Sequence, residues 1–328
     1  MKNNQIYGIG NILLDEIYSI SKEDLQKNDI EKGTFQFVDF ERIESLRNNL
    51  SQYSPKYVSG GAICNSLASF SALGGAARMV SSIGLDQDGE KIESDLNSVN
   101  LKSSLIKMDK ERTGVCLVTI ENESGERAMS TNLGASAFVG SDNFDKTELL
   151  DSEYLLIEGY LAATDSGKLL IEKAIKESVA SDIKIILTLS DIFIVNSFKE
   201  FFTSILNKVD IIVCNENEAQ GLTDTTNPKD AIRSLSKTIN HVVITCGEKG
   251  AVIYNNSDFY DIEAKKVEKV IDTTGAGDMF LGVYLYGYFS GLSSEQAANN
   301  ASHYCSLIIQ QLGARLNQDY KNIWQNIA

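Results

Sequence analysis

The chain has 328 residues, of which 43 % are hydrophobic and only 2 are proline, as is typical of a globular protein with a large buried core. Its formal net charge of −15 repels nucleic acid and anionic membranes, so we expect neither as a partner. The 5 cysteines are scattered and the histidines number only 2, which disfavours disulfide frameworks and zinc sites and points to a cytoplasmic protein.

Residues 6–14 form an apolar run with small residues, which predicts a first buried strand. This strand would deliver Asn11 and Asp15 to its carboxyl end, where ligands bind in open parallel sheets. We therefore take both residues as candidate ligand-binding residues. An Asx turn that closes the strand is the alternative interpretation.

Two segments, residues 16–42 and 107–132, contain runs in which apolar and polar residues alternate. In the second segment a hairpin turn joins predicted strands over residues 115–121 and 127–131. Alternation indicates half-exposed strands, whereas strands of a covered parallel sheet are apolar on both faces. The two segments therefore predict a small lid outside the main sheet.

Paired glycines precede a predicted helix that continues to Leu73. Gly61, the second of the pair, permits close approach of a substrate to the backbone and could act as a hinge. Asn65 follows on the first turn of this helix and is a candidate substrate ligand. An ordinary helix N-terminus is the alternative.

Strands and helices alternate from Tyr154 onward, which predicts a helix-covered, mostly parallel sheet. No change of composition marks a linker, so we expect a single α/β domain over residues 1–328. The predicted strands cover residues 154–157, 183–189, 211–214 and 241–245, and the predicted helices cover residues 166–179, 197–206 and 294–312, with a further helix around Ala219.

The most informative stretch is residues 270–280. An apolar run that ends at Ile271 predicts a buried strand, and a glycine turn, Gly275, Ala276 and Gly277, leads into a helix that carries Asp278. Glycines allow close approach, and the free amides at a helix N-terminus attract anions. An anion site beside a possible base suggests phosphoryl transfer to a hydroxyl. An ordinary strand-to-helix turn is the alternative.

Residues 272–278 resemble the signature of the ribokinase-like kinases, the phosphofructokinase B family, and further motifs follow the family order along most of the chain. Residues 10–15, 125–127, 133–135 and 303–304 resemble the adenosine kinase branch. The resemblance implies a three-layer α/β/α sandwich with a mostly parallel central sheet and a small β-sheet lid. A Walker A loop is absent, because Lys168 is followed by Leu169.

The resemblance also implies roles for the candidate residues. Asp278 would be the catalytic base, and the amides of residues 275–277 would stabilise the transferred phosphoryl group. Asp15 would bind two ribose hydroxyls with help from Asn11, and Asn65 would hold a sugar hydroxyl.

The implied cofactors are ATP and Mg²⁺, with K⁺ as a further candidate. The residues implied in binding them are Thr245, Gly247 and Gly250 in an ATP loop, Arg127 near the phosphate, His303 near the ATP base, and Asn215 and Glu218 around magnesium-bound water. Each group also has a structural alternative. The ATP loop could be an ordinary glycine-containing hairpin, and Arg127 a solvated arginine of a hairpin. His303 could be a packed core histidine, and Asn215 and Glu218 an ordinary acidic helix N-terminus. We expect a monomer or a homodimer.

The best substrate hypothesis is the 5′-hydroxyl of adenosine or a related nucleoside. Ala62, however, stands where adenosine kinases commonly offer a hydroxyl to the base, so a ribose-type or other sugar stays open as the acceptor. A sensor of sugars or nucleotides without catalytic activity is the third hypothesis. Asp278, Asn215 and Glu218 argue against the sensor, because binding alone requires no base.

Overall fold

The computed structural model describes residues 2–327. Its strands are β1 Asn4–Ile9, β2 Leu13–Ile20, β3 Phe35–Phe37, β4 Lys56–Gly60, β5 Ala77–Gly84, β6 Lys102–Met108, β7 Val115–Glu121, β8 Arg127–Asn132, β9 Ser152–Glu158, β10 Lys184–Thr188, β11 Ile211–Asn215, β12 His241–Thr245, β13 Ala251–Asn255 and β14 Asp258–Ile262. Its α-helices are α1 Lys22–Lys27, α2 Phe40–Asn49, α3 Ala62–Leu73, α4 Gln87–Ser98, α5 Lys146–Leu150, α6 Asp165–Ala180, α7 Ile192–Ser197, α8 Lys199–Ile205, α9 Glu216–Thr223, α10 Pro228–Leu235, α11 Ala276–Phe289, α12 Ser294–Ile308 and α13 Tyr320–Ile327.

Within residues 2–327 the larger sheet has nine strands in the order β14-β13-β12-β11-β10-β9-β1-β5-β6. Neighbours from β12 to β6 pair in parallel, and the two pairings at one edge, β12–β13 and β13–β14, are antiparallel. Hydrophobic clusters on the two faces contain α3, α11 and α12 on one side and α6 and α10 on the other. The predicted α/β/α sandwich is therefore confirmed.

The smaller sheet of the described chain has five strands in the order β3-β8-β7-β2-β4. Residues 6–14 were predicted as one strand, and this prediction is wrong, because the chain leaves the larger sheet after Ile9 and β2 begins at Leu13 in the smaller one. Gly10 packs so tightly against Glu158 that a Cβ would lie 3.0 Å from its side chain. Asp15 consequently lies inside β2 rather than at the end of β1.

The second sheet also differs in extent from the predicted lid segments. β2 already belongs to it from Leu13, and β4 is a further strand that the sequence pattern did not reveal. Lys107, which was predicted to begin the second lid segment, lies in β6 of the larger sheet instead.

Two predictions near the glycine turn are wrong. Residues 270 and 271 form no strand: Val270 is 52 % exposed and Ile271 is 41 % exposed, and the Ile271 amide donates to the Ile309 carbonyl. The last long helix ends at Ile308, and Gly313 adopts a left-handed turn at φ +91° beyond it. The chain between α12 and α13 therefore lies against the glycine turn as an irregular segment.

Other differences are smaller. The helix predicted near residues 197–206 is α8, and the pattern missed α7, which ends just before it at Ser197. The pattern also missed α10, α13 and the hairpin β13–β14, which are short or lie at an edge of the molecule. No helix within residues 2–327 has the length and apolar character needed to cross a membrane.

Helix α11, which follows the glycine turn, is held against the sheet by a buried polar pair. His241 on β12 is 3 % exposed, and its Nε2 shares a hydrogen bond of 2.6 Å with the Tyr284 hydroxyl on α11. Burial lowers the pKa of His241 to about 4, so the imidazole is neutral at neutral pH. Tyr288, one turn further along, packs its ring edge-on against the same imidazole at 4.7 Å between ring centroids.

We expect Tyr284→Phe to lower the free energy of unfolding by about 1–3 kcal/mol, because the buried imidazole nitrogen would lose its partner. Tyr288→Phe is the matched control, since the Tyr288 hydroxyl makes no hydrogen bond within residues 2–327. It should change stability by less than about 0.5 kcal/mol. Urea denaturation measures both, and equal losses in the two variants would show that the hydrogen bond contributes nothing.

Candidate active site

The glycine turn places free backbone amides at an open cleft. Gly275 adopts φ +72°, and a Cβ there would lie 2.6 Å from the Ala314 side chain, so only glycine fits. Within residues 2–327 the amides of Gly275 and Gly277 donate to no acceptor, whereas the Ala276 amide donates to the Thr273 carbonyl at 3.2 Å. A Cβ added to Gly277 would meet nothing within 4 Å, so space for a ligand lies above it. The turn therefore has the character of an anion site.

Asp278 lies on the first turn of α11 and faces α3. The Asn65 side-chain amide donates to Asp278 Oδ2 at 3.0 Å, while Asn65 Oδ1 is buried and has no partner within the described chain. Burial raises the pKa of Asp278 to about 7, against the opposing effects of the Asn65 hydrogen bond and the Arg315 charge. A carboxylate with this pKa can accept a proton near neutral pH.

Asp15 extends from β2 into the same cleft. Its carboxylate contacts Gly60 so closely that a Cβ at Gly60 would clash with it, and no hydrogen bond reaches it from residues 2–327. Burial raises the pKa of Asp15 to about 7; Arg315 acts against this shift and Asp278 adds to it. Both oxygens are therefore available to bind hydroxyl groups.

Glu158 is a site residue that the sequence interpretation missed. It ends β9, is fully buried, and accepts hydrogen bonds from the Asn11 amide at 2.6 Å and the Ile63 amide at 3.3 Å. Burial raises its pKa to about 7, although these amides favour the ionised form and Asp278 disfavours it. An acid directly after the apolar run of β9 was the available signal, since ligand sites lie at such strand ends.

Residues 10–12, which connect the two sheets, lie beside the remaining candidate substrate-binding residues. Gly61 adopts φ +105°, and a side chain there would clash with the Asn11 carbonyl. Asn11 is held through its backbone by Glu158, and its side chain accepts from the Ser136 hydroxyl at 3.2 Å. Asn11, Asp15, Gly61, Asn65 and Asp278 thus lie close together, and their roles in binding and catalysis stay predictions.

Asn215 and Glu218 form a capping box at the start of α9. The Glu218 amide donates to Asn215 Oδ1 at 2.9 Å, and Glu218 Oε2 accepts from the Asn215 amide at 2.9 Å. Burial raises the pKa of Glu218 to about 7, and Asp191 and Asp278 add to the shift. Within residues 2–327 no three acidic, cysteine or histidine side chains are grouped to hold a metal directly. The pair therefore suits contact with a metal ion through water.

The candidate ATP loop lies at the same sheet edge, because Thr245 pairs with Asn215 across β12 and β11. Gly247 and Gly250 adopt φ +57° and +96°, and the Cys246 amide closes the loop onto the Gly250 carbonyl at 2.7 Å. A Cβ on Gly247 would meet nothing within 4 Å, so the loop has an open side.

Arg127 and His303, the two remaining candidate residues, lie apart from the ATP loop and the capping box. Arg127, at the start of β8, forms an ion pair with Asp272, which also accepts from the Thr274 amide at 2.9 Å and the Gly313 amide at 3.0 Å. The arginine is thus a partly exposed ion-pair partner, and its approach to a phosphate stays a prediction. His303 is partly buried on α12, and burial and the nearby Lys265 lower its pKa.

A family model described as pfkB family carbohydrate kinase matches residues 36–320. The chain belongs to this family. It is thus a phosphotransferase that acts on hydroxyl groups, and the resemblance seen in residues 272–278 is confirmed.

Relatives within the family include both nucleoside and sugar kinases. An adenosine kinase of Saccharomyces cerevisiae (strain ATCC 204508 / S288c) is 25 % identical over 324 residues, which cover 93 % of this chain and 94 % of the yeast protein. Two crystal structures, each 28 % identical with a TM-score of 0.87, are an adenosine kinase from Sinorhizobium meliloti and a probable sugar kinase from Rhizobium etli CFN 42. Each alignment covers 99 % of this chain, with 100 % of the first protein and 99 % of the second. These relatives support a nucleoside or sugar kinase.

We expect Glu158 to make the protein less stable as the pH rises. Its folded-state pKa of about 7 lies above its ordinary value of 4.5, so the folded state binds the proton more tightly and loses stability as pH rises through this window. The loss amounts to about 3 kcal/mol, at about 1.4 kcal/mol per unit. Glu158→Gln should remove this part of the pH dependence.

Urea denaturation at about pH 5 and about pH 8 tests the expectation. Glu153→Gln, the same change at the exposed start of β9, is the control and should keep the wild-type pH dependence. Glu158→Gln will also lose some stability at both pH values, because the new amide group faces backbone donors. The role of Glu158 is contradicted if both variants show the wild-type difference between the two pH values.

Proposed function

We propose that the protein transfers the γ-phosphoryl group of ATP to the 5′-hydroxyl of adenosine or a related nucleoside. The observation that favours a nucleoside over a free sugar is the cleft-facing side of the smaller sheet. On this side the Asp15 carboxylate, which can accept hydrogen bonds from sugar hydroxyls, lies next to a half-exposed apolar surface. A ligand that has both a sugar and a flat base requires this combination.

Strand register defines that surface. Directly paired residues point to the same face of a sheet, and Asp15 pairs with Cys116, which pairs with Thr131 and then Phe37. The neighbouring row is apolar and contains Ile17, Val118, Met129 and Phe35.

The opposite face of the smaller sheet is buried, since its side chains Leu14, Tyr18 and Ile20 are at most 4 % exposed. On the cleft side, by contrast, Phe35 and Phe37 are 52 % and 68 % exposed. Large aromatic side chains left exposed beside a binding cleft are typical of a surface that a ligand covers.

The catalytic residues follow from the cleft geometry. Asp278 accepts the proton of the attacking hydroxyl, and Asn65 holds the carboxylate in position through its hydrogen bond of 3.0 Å. The free amides of Gly275 and Gly277 stabilise charge that develops on the transferred group, an interaction worth about 3–4 kcal/mol for a single donor in comparable sites. The Ala276 amide, which was predicted to share this role, must first leave the Thr273 carbonyl.

Substrate hydroxyls are held by Asp15, whose two oxygens are free, while Asn11 and Gly61 shape the cleft around them. The unpartnered Asn65 Oδ1 is a further acceptor for a substrate hydroxyl. An unpaired buried oxygen costs free energy until a ligand supplies its donor.

Kinases of this family use ATP with Mg²⁺. Thr245, Gly247 and Gly250 would hold the nucleotide, and Asn215 and Glu218 would bind metal-bound water. Mg²⁺ supplies charge neutralisation of the phosphates when bound. Arg127 can bind phosphate only if its ion pair with Asp272 breaks. The contact of His303 with the ATP base stays a prediction. The binding of K⁺ also stays a prediction.

A sugar such as ribose or fructose is the alternative acceptor. Ala62 at the start of α3 favours it, because it offers no side-chain hydroxyl to a base. A coupled kinase assay over nucleosides, their 2′- and 3′-deoxy forms, and free sugars decides between the two. Fast turnover of adenosine with loss of activity on the deoxy forms supports the proposal, whereas turnover of free sugars alone contradicts it.

We expect Asp278→Asn to lower kcat by about 10²- to 10⁴-fold, because the variant cannot accept the hydroxyl proton. In the wild type, kcat/KM should fall as the pH decreases through about 7, where the base becomes protonated. ATP affinity, measured by calorimetry, is the control and should be unchanged. Retention of more than about a tenth of kcat would exclude the general-base role.

We further propose that the smaller sheet acts as a lid that pivots at Gly60 and Gly61 when substrate binds. Hydrogen exchange should then slow in residues 13–20 and 115–132 on addition of substrate, because water is excluded from the closed cleft. The hairpin over residues 251–262 lies in the larger sheet and is the internal control. Unchanged exchange in the smaller sheet, with protection confined to residues 275–278, would show that it does not close.

A further inference from the structure

Arg315 joins three parts of the molecule beside the cleft. It lies in the segment between α12 and α13, and its side chain is only 10 % exposed. Its Nη1 donates to Asp95 of α4 at 2.6 Å, and its Nη2 donates to the Ser59 carbonyl at 2.6 Å and the Ser59 hydroxyl at 2.7 Å. Ser59 directly precedes the glycine pair at the proposed hinge.

The charge of Arg315 also acts on the cleft without direct bonds. Asp95 is its ion-pair partner within residues 2–327, and neither Asp15 nor Asp278 accepts a hydrogen bond from it. Its positive charge nevertheless lowers the pKa of both carboxyls against the larger effect of burial, which raises them. The other titratable groups around these two acids are Asp95, Glu158, Glu218, Tyr160, Cys64 and Cys116.

We propose that Arg315 is a positioning residue that fixes the hinge through Ser59 and places a positive charge beside Asp15 and Asp278 without occupying their oxygens. Asp272 shows the contrast: four donors surround it, which leaves little capacity to bind a ligand. A direct salt bridge to Asp15 or Asp278 would occupy oxygens in the same way. The part of the inference that concerns catalysis rests on the proposed role of Asp278.

The first test uses stability and requires no substrate. Without the cation, the folded-state pKa of the two acids rises further, so Arg315→Met should lose more stability at about pH 8, where the acids are ionised, than at about pH 5. Arg315→Lys keeps the positive charge and should therefore lose the same amount of stability at both pH values. Arg78→Met is the matched control, since Arg78 is 21 % exposed, pairs with Glu148 and lies at the opposite end of the sheet.

The second test uses the pH profile of kcat/KM. Arg315→Met should move its acid limb to higher pH by about one unit, the smaller end of the usual effect of a nearby opposite charge. Arg315→Lys should restore the wild-type midpoint. Asp95→Asn removes a negative charge that raises the pKa of Asp15, while the new amide oxygen can still accept from Arg315, so the part of the limb that reports Asp15 should move to lower pH.

The two tests fail in different ways. A purely structural Arg315 would give equal losses of stability at both pH values in Arg315→Met and an unmoved acid limb, which overturns the inference. A pH-dependent loss of stability without kinase activity would support the electrostatic role and contradict only the proposed function. If Arg315→Met does not fold, Asp95→Asn decides, and an upward shift of its acid limb overturns the inference.

Discussion

Four buried or partly buried carboxyl groups lie around the candidate site, and this crowding of like charges is the constraint on which the site depends. Asp15, Glu158, Glu218 and Asp278 each have a pKa raised to about 7, in every case mainly by burial, and the charge of Asp278 adds to the shift of the other three. Like charges in a medium of low dielectric constant repel strongly. The fold must therefore supply positive potential without filling the space that a substrate needs.

Backbone amides, the Asn65 side chain and the nearby cation Arg315 supply this potential. Glu158 accepts hydrogen bonds from the Asn11 amide between the two sheets and the Ile63 amide of α3, and Asp278 accepts one from Asn65. Asp272 differs although it lies only six residues before Asp278: burial would raise its pKa, but hydrogen bonds from Thr274 and Gly313 and the Arg127 charge lower it. One motif thus contains an acid saturated by four donors, Asp272, which fixes the turn, and an acid with a single side-chain donor, Asp278.

Local patterns were sufficient to predict the larger sheet, since continuous apolar runs separated by amphipathic helices specify a covered parallel sheet. They were insufficient where tertiary contacts decide. The break at Gly10 depends on the side chain of Glu158, far away in sequence, and residues 270–271 lie exposed although they are apolar. The sequence did not predict roles for Glu158 and Arg315 for the same reason. A single charged residue forms no periodic pattern, and its role depends on contacts with residues far away in sequence.

The charge balance of the cleft also explains why a chain of net charge −15 requires help to bind a nucleotide. Phosphate beside Asp278, the proposed base, would raise the pKa of this carboxyl further and so disfavour the ionised form that could accept a proton. The two arginines at the cleft do not remove this difficulty, since Arg127 is paired with Asp272 and Arg315 with Asp95. The amides of Gly275 and Gly277 carry only partial charges. Positive charge must therefore enter together with the phosphates, which is a physical reason, independent of family membership, to expect a divalent cation with ATP.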